Sequence, residues 1–261
     1  MIYDFFALTD TGRMRENNED ALSFDAENGL AVLADGMGGY NAGEIASGIA
    51  TAFITTELGR WLSQAGAQTL AREVRRAMEI CVDNANLSIF NSASTNSQYA
   101  GMGTTLVVGV FQDHRLFLGH IGDSRCYRWR NRTLVQITRD HSLLQEQLDA
   151  GLITPEQAMV SPNRNLVTRA LGVEATVLLE VNEHRVEPGD LYLMCSDGLT
   201  DMVADSAIAT LLSSELPLDA LASGLVECAN ANGGRDNISV LLVNASQSTK
   251  RRSLMDRLLG K

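Results

Sequence analysis

The sequence predicts an α+β fold in which helices and a mostly antiparallel sheet form separate layers. Predicted strands and helices come in blocks along the 261 residues: two strands, two long helices, many strands, two helices and a last strand. Such blocks favour segregated layers over the alternating units of a doubly wound parallel sheet. No internal repeat and no long linker divide the chain, so we expect one domain over residues 1–245 and a basic tail over residues 246–261.

The first block is a hairpin followed by two amphipathic helices. Residues 21–25 and the apolar run at 31–34 flank Glu27-Asn28-Gly29, and an Asn-Gly pair favours a tight hairpin turn. Apolar side chains then recur at helical spacing over residues 42–61 and over residues 69–90. We therefore expect one hairpin and two long helices in this part of the chain.

Strands dominate the middle of the chain, and helices return near its end. The predicted strands cover residues 104–111, 115–121, 126–129, 135–138, 177–186, 191–195 and 238–243. The predicted helices are a short one at 143–150 and two longer ones at 201–213 and 217–230. Apart from that short helix, residues 140–172 show little regular pattern.

The composition argues against several classes of function. A net charge of −11 disfavours general affinity for nucleic acid or for anionic membranes. No run of eighteen apolar residues predicts a membrane span, and the N-terminus lacks the pattern of a signal peptide, so we expect no membrane insertion and cytoplasmic residence. Cys81, Cys126, Cys195 and Cys228 are far apart, and we expect buried thiols, with no disulfide and no zinc site.

The informative pattern is a set of acidic residues beside apolar strands. Asp35, Asp123 and Asp197 each follow an apolar run and precede a small or turn-forming residue. Asp236 stands just before the last predicted strand, and Asp20 heads the first one. Strand ends of a rigid sheet can hold several carboxylates at one edge, so these residues are candidate ligands of a shared site.

Converging carboxylates repel one another, and a divalent cation neutralises them. Mg²⁺ and Mn²⁺ prefer oxygen ligands and keep several waters. Gly36 lacks a Cβ, so its carbonyl could approach an ion. The alternative is that each Asp-Gly pair only forms a turn, which is the commoner role of a single such pair. Spacing alone leaves open whether the acids meet in space.

Other catalytic templates are missing from the sequence. It contains no HExxH zinc motif, no EF-hand loop, no GxxxxGK[ST] phosphate loop and no GxSxG elbow. Its four histidines show no ligand spacing. The residues therefore favour an oxygen-based metal site.

Eight motifs follow one another along almost the whole chain. They are Thr9-Asp10-x-Gly12-x-x-Arg15-x-x-Asn18-Glu19-Asp20, Ala34-Asp35-Gly36-Met37-Gly38-Gly39, Gly103-Thr104-Thr105, His120-Ile121-Gly122-Asp123-Ser124-Arg125, Asp140-His141-Ser142, Asn165-x-x-Thr168-Arg169-Ala170-Leu171-Gly172, Cys195-Ser196-Asp197-Gly198-Leu199 and Arg235-Asp236-Asn237. In this order they resemble the bacterial branch of the PP2C (PPM) family, the metal-dependent serine/threonine protein phosphatases. One motif would be weak evidence, but the ordered set over about residues 3–243 is very specific.

The resemblance implies a single α-β-β-α sandwich, with two stacked and mostly antiparallel sheets flanked by helix pairs. It also implies Mn²⁺ or Mg²⁺ as the cofactor. Asp35, Asp197 and Asp236 would hold a first ion. Asp35 and the Gly36 carbonyl would hold a second ion, with Asp20 acting through water.

The resemblance further implies the reaction, which is attack of a metal-bridging hydroxide on phosphoserine or phosphothreonine. Asp123 would hold the third ion described in bacterial members. Arg15 matches the family's phosphate-binding arginine, and Arg13 is the nearby alternative. Many eukaryotic relatives have a histidine, thought to protonate the leaving group, where this chain has Met37. The proton donor is therefore open; Tyr40 stands nearby.

Residues 142–165 match the family's mobile flap, although an ordinary surface loop is the alternative. The resemblance implies phosphoproteins and a bacterial serine/threonine kinase as partners, and we expect a monomer. Two rival functions stay open. A catalytically dead phosphoprotein-binding module should have lost some of these aspartates, and a phosphoesterase for small metabolites would be distinguished by a substrate panel.

Overall fold

Two antiparallel sheets stack face to face, and helices cover both outer surfaces. The computed structural model describes residues 1–39, 42–66, 69–154, 157–158 and 166–247. The strands are β1 (Ile2–Asp10), β2 (Asp20–Asp25), β3 (Leu30–Met37), β4 (Gly103–Thr104), β5 (Leu106–Gln112), β6 (Arg115–Ile121), β7 (Arg125–Arg130), β8 (Thr133–Gln136), β9 (Glu180–Arg185), β10 (Leu191–Cys195) and β11 (Ile238–Ser246). The helices are α1 (Ala42–Ala65), α2 (Ala71–Thr95), α3 (Leu143–Asp149), α4 (Asp197–Thr200), α5 (Asp205–Leu212) and α6 (Leu218–Ala231), with a 3₁₀ turn at Ser97–Tyr99.

The strand order confirms the predicted fold class. One sheet runs β1-β11-β10-β7-β8, and the other runs β2-β3-β5-β6-β9 with β4 paired to β3. Every pairing between these strands is antiparallel. Helices α1 and α2 pack on the second sheet, and α5 and α6 pack on the first. This is the α-β-β-α sandwich that the resemblance implied.

Three apolar layers hold the sandwich together, and alternate residues of one strand enter different layers. Leu193 of β10 packs under the helices of its own sheet, whereas its neighbour Met194 packs between the two sheets. The two-residue period of a strand produces this division, since successive side chains point to opposite faces. The central strands are therefore apolar on both faces and read as continuous apolar runs in the sequence.

The strand β1 was missed by the sequence prediction. Phe6 and Leu8 pack in the layer beneath the helices, whereas Phe5 and Ala7 pack between the sheets. Because both faces are covered, the segment lacks the apolar–polar alternation that marks a half-buried strand.

Several predicted boundaries were also wrong. The strand predicted at 104–111 is interrupted at Thr105, and the helix predicted at 201–213 is replaced by α4 and the shorter α5. Cys81, Cys126 and Cys195 are buried as expected, but Cys228 is only half-buried. The hairpin of β2 and β3, the long helices α1 and α2, and strands β6 and β10 are confirmed. The last strand, β11, ends at Ser246, which is the first residue of the predicted basic tail. Residues 248–261 of that tail lie outside the described residues.

A membrane-spanning role finds no support in the helices that the structure describes, because none of them is long and apolar enough to cross a bilayer. The cytoplasmic residence expected from the sequence stays a prediction.

We expect Asp190→Ala to destabilise the five-stranded sheet. The buried carboxylate accepts from Nε and Nη2 of Arg130, both at 2.6 Å, and from the amide of Glu187 at 2.8 Å. It thereby joins the end of β7 to the start of β10. Hydrogen bonds to a charged group contribute about 2 kcal/mol, so urea unfolding should show a loss of this order. The exposed pair of Arg60 and Glu57 is the control, and Glu57→Ala should cost no more than about 0.5 kcal/mol. Equal losses in the two variants would contradict the prediction.

Candidate metal centre

The predicted acids gather at one end of the sandwich. A cavity of about 270 Å³ there is lined by Asp35, Asp123, Asp197 and Asp236. They come from β3, from the β6–β7 turn, from the start of α4 and from the loop before β11. Four segments that are far apart in sequence therefore bring carboxylates to one opening.

The remaining predicted residues lie in or behind this cavity. Arg15 and Gly36 line it. Asp20 is not among the lining residues, but it stands directly opposite Asp35 in the β2–β3 pairing. The Ser196 hydroxyl donates to Asp20 Oδ2 at 2.8 Å, so this carboxyl is tied to the residue that follows β10.

The backbone of Asp35 is held by two threonines that sequence reasoning gave no role. The Asp35 amide donates to Thr105 Oγ1 at 3.0 Å, and its carbonyl accepts from Thr104 Oγ1 and from the Thr105 amide, both at 2.9 Å. The buried Thr105 hydroxyl also lies 2.7 Å from Ser124 Oγ, beside Asp123. Thr105, which lies between β4 and β5, therefore contacts both the segment of Asp35 and the segment of Asp123.

Gly36 is required by close packing. A Cβ at this position would overlap the Gly43 carbonyl near the start of α1 and would lie 2.6 Å from the Glu19 carbonyl. Its amide donates to that Glu19 carbonyl at 3.1 Å, and Ser47 Oγ donates to the same oxygen at 2.6 Å. The absence of a side chain thus lets α1 approach the strand that carries Asp35.

Burial and mutual repulsion disturb the acidity of the site. Burial raises the pKa of Asp20 to about 7; the charge on Asp236 adds to this, and hydrogen bonds from Ser239 and Ser196 oppose it. Burial also raises the pKa of Asp35 well above its usual value, with Asp20 and Asp197 contributing most of the added repulsion. This end of the molecule therefore concentrates negative charge at a high electrostatic cost.

Asp197 and Asp123 behave in the same way. Burial raises the pKa of Asp197 well above its usual value, and the charge of Asp123 adds to it, followed by that of Asp201. Burial raises the pKa of Asp123 to about 6, with Asp140 as the next cause. A cation bound between these groups would remove the repulsion that all of them share.

A neighbouring cavity of about 370 Å³ shares Asp123 and Asp197 with the first one. It adds Asp201, which sequence reasoning missed. This residue follows Asp197 by four positions, at the C-terminal end of α4, so one turn of helix brings it to the same side. The four-residue spacing was visible in the sequence, but it had meaning only once α4 was known to be helical.

The Asp-His-Ser motif links the Asp123 turn to the predicted flap. His141 Nδ1 accepts from the Gly122 amide at 3.1 Å, and the His141 amide donates to the Gly122 carbonyl at 2.8 Å. Ser142 caps α3 by accepting from the Gln145 amide at 3.2 Å. These hydrogen bonds give both residues a structural role. Much of the flap, residues 155–156 and 159–165, lies outside the described residues.

Arg15 brings a positively charged side chain to the cavity. Its Nη2 donates to Asp236 Oδ2 at 2.7 Å, and its side chain is 51% exposed. Burial disfavours its charged form, but the charge and hydrogen bond of Asp236 outweigh this effect and raise the pKa of Arg15. Arg13, the nearby alternative, does not line the cavity.

Met37 also lines the cavity. The resemblance places it where many eukaryotic relatives have a histidine. Met37 is paired with Gly103 of β4, so the strand fixes its position. A thioether carries no proton to donate. Tyr40, the neighbour considered from the sequence, lies outside the described residues.

The acids that line the cavity could bind a metal only through carboxylate oxygens, and hard divalent cations prefer oxygen ligands. Within the described ranges, no group of three or more His, Cys, Asp or Glu side chains is arranged so that it could hold an ion by itself. Arg15 engages Asp236, and Ser196 engages Asp20. Mg²⁺ suits such a site, since it uses few protein ligands and keeps several waters.

Comparison with known proteins agrees with this geometry. A family model described as protein phosphatase 2C matches residues 12–242. The serine/threonine phosphatase stp of Listeria monocytogenes is 37% identical over 251 residues, which cover 94% of this chain and 96% of the relative.

Solved structures show the same likeness. The crystal structure of the Mycobacterium tuberculosis serine/threonine phosphatase PstP/Ppp has a TM-score of 0.84 and 36% identity, covering 95% of this chain and 100% of that one. The catalytic domain of PstP in complex with two manganese ions has a TM-score of 0.82 and 35% identity, covering 94% and 99%. A match of this extent in sequence and in fold confirms the resemblance, and the chain belongs to the protein phosphatase 2C family.

Proposed function

We propose that this chain is a metal-dependent protein phosphatase that hydrolyses phosphoserine and phosphothreonine. The observation that carries the proposal is the cavity in which four carboxylates from separate segments face one arginine. The family and the named phosphatases among its relatives support the same reaction. All the aspartates of the motif series are present, which disfavours a catalytically dead module.

The manganese complex of PstP supports Mn²⁺ or Mg²⁺ as the cofactor. We assign a first ion to Asp35, Asp197 and Asp236, and a second to Asp35 and the Gly36 carbonyl, with Asp20 acting through water. Asp123 is assigned to a third ion. When bound, the cations supply an activated water and neutralise charge on the phosphate.

Arg15 is the phosphate-binding residue in this proposal. Its guanidinium presents several N–H donors in a plane, which suits two oxygens of a phosphate group. Asp236 holds it over the cavity at 2.7 Å. A carboxylate oxygen can accept more than one contact, so Asp236 could hold a cation and Arg15 at the same time.

The proposal names the class of physiological substrate but no individual protein. We infer that they are phosphoproteins, that a bacterial serine/threonine kinase supplies them, and that the chain acts as a monomer in the cytoplasm. The second cavity borders the proposed centre, and its residues would meet the parts of the substrate next to the phosphate. From the predicted flap, this cavity is lined by Ser142, Leu144, Gln145, Leu148 and Ala158.

We expect Asp35→Asn and Asp236→Asn to lower phosphate release from a phosphothreonine peptide at least about a hundredfold in the presence of Mn²⁺. Loss of a metal ligand removes several kcal/mol of stabilisation from the transition state, and each 1.4 kcal/mol corresponds to a factor of ten. The wild-type chain should also lose activity in EDTA and regain it with Mn²⁺.

The control is Asp4→Asn, which removes an exposed carboxylate from β1. It should keep the wild-type rate. Normal turnover in either cavity variant would remove that residue from the ligand set. A folded wild-type chain that releases no phosphate from phosphoserine or phosphothreonine peptides would overturn the proposal, and a higher kcat/KM for small phosphomonoesters would favour a metabolite phosphatase.

The raised pKa of Asp20 predicts a pH dependence in the metal-free protein. Burial raises the pKa of Asp20 from its ordinary value of 3.8 to about 7, so the folded state keeps a proton on this carboxyl up to about pH 7. Its contribution to stability is therefore complete below about pH 4 and is lost as the pH rises through 7. Relative to Asp20→Asn, the wild-type protein should lose free energy of unfolding over this range.

Urea unfolding in EDTA at several pH values measures this difference. Saturating Mn²⁺ should reduce it, because a cation favours the ionised carboxylate. Asp4→Asn controls for the loss of one negative charge. A difference between wild type and Asp20→Asn that does not change with pH would contradict the prediction.

A further inference from the structure

We infer that Asn237 is a positioning residue for phosphate binding, because its buried amide ties the loop at residues 11–19 to the segment that carries Asp236. The loop presents Arg15 to the cavity. This inference rests on the proposed function and extends it to a residue that does not line the cavity.

Three hydrogen bonds connect the Asn237 side chain to this loop. Its Oδ1 accepts from the Glu19 amide at 2.8 Å. Its Nδ2 donates to the Thr11 carbonyl at 3.0 Å and to the Asn17 carbonyl at 2.9 Å. One side chain therefore holds both ends of a nine-residue loop, using both donors and the acceptor of its amide.

The loop depends on this anchor because it has little apolar packing of its own. Residues 13–17 are exposed, and residues 11–19 belong to neither β1 nor β2. Other bonds also tie the loop down. The amides of Arg13 and Met14 both donate to the Gly234 carbonyl at 2.7 and 3.2 Å. The Glu19 carbonyl accepts from the Gly36 amide at 3.1 Å, and Asn18 Nδ2 donates to Thr9 Oγ1 at 2.8 Å. An exposed loop of this kind keeps a single conformation only through such bonds.

Asn237 also belongs to the metal side of the cavity. Its backbone amide donates to Asp236 Oδ1 at 2.9 Å. Its backbone carbonyl leaves no room for a Cβ at Gly198, which is next to Asp197. The residue is only 5% exposed. Asn237 therefore connects the loop that carries Arg15 to the backbone beside two proposed metal ligands, Asp236 and Asp197.

Alanine at position 237 would leave the Glu19 amide and two carbonyls without this partner. The loop lies at the surface, so water can replace the lost bonds, and the fold should survive. The position of Arg15 would then be averaged over several loop conformations. A group that is not held in place loses much of its contribution to binding the phosphate in the transition state.

A double-mutant cycle separates positioning from general stability. We expect Asn237→Ala and Arg15→Ala each to lower kcat/KM for a phosphothreonine peptide about tenfold in Mn²⁺, as for the loss of one charged hydrogen-bonded contact. If Asn237 acts through Arg15, the double variant should be no more than about twofold worse than Arg15→Ala. Binding of inorganic phosphate to the Mn²⁺-loaded protein, measured by calorimetry, should show the same lack of additivity.

The control is Asn86→Ala. Asn86 is also buried, and its side chain makes two bonds to a loop, at 2.7 Å from the Gly172 amide and 2.9 Å to the Glu174 carbonyl. It should lower the stability of the protein without changing phosphate binding. If Asn237→Ala proves too unstable to purify, Asn237→Ser leaves space for a water at the same place and should show the same coupling.

Additive effects of Asn237→Ala and Arg15→Ala, or unchanged phosphate binding in Asn237→Ala, would overturn the inference. Failure of the proposed function is distinguished in the same experiment, because the wild-type chain itself would then release no phosphate from the peptide.

Discussion

Repulsion among buried carboxylates is the constraint on which the rest of this structure depends. Asp20 and Asp35 stand opposite each other in one hairpin, and Asp197 and Asp123 add their charges from other segments. In the metal-free protein this arrangement lowers stability, because each carboxylate that ionises is buried and is repelled by the charges of its neighbours. A rigid sandwich with three apolar layers supplies the stability that holds them together.

The acids are held in place largely by neutral groups. Thr104 and Thr105 fix the backbone of Asp35, and Ser196 bonds to Asp20. Hydroxyls and amides orient a carboxylate without neutralising it, so its charge stays available for a cation. The nearby Arg125 is bound by Asp140 through Nε and Nη2, which keeps much of its positive charge on a partner outside the first cavity.

The sequence predicted which carboxylates gather at this cavity better than it predicted some of the elements around it. Asp35, Asp123 and Asp197 could be found because each interrupts an apolar run, which is a local signal. Thr105, Asp201 and Asn237 were given no role, since their contacts join segments that are distant along the chain or depend on a helix not predicted there. Strand β1 was missed for a related reason: both of its faces are covered by elements that come later in the sequence.

The two parts of the proposed centre differ in rigidity, and this difference has a functional meaning. The carboxylates sit on or beside strands of the sandwich, whereas Arg15 sits on an exposed loop held mainly by main-chain ties and the amide of Asn237. Metal binding needs several ligands at fixed separations, and strand ends provide that. Phosphate must enter and leave at every turnover, so its arginine benefits from a support that can yield slightly. Asn237 ties this loop to the backbone beside Asp236, so the arginine stays close to the proposed metal ligands while its loop remains exposed.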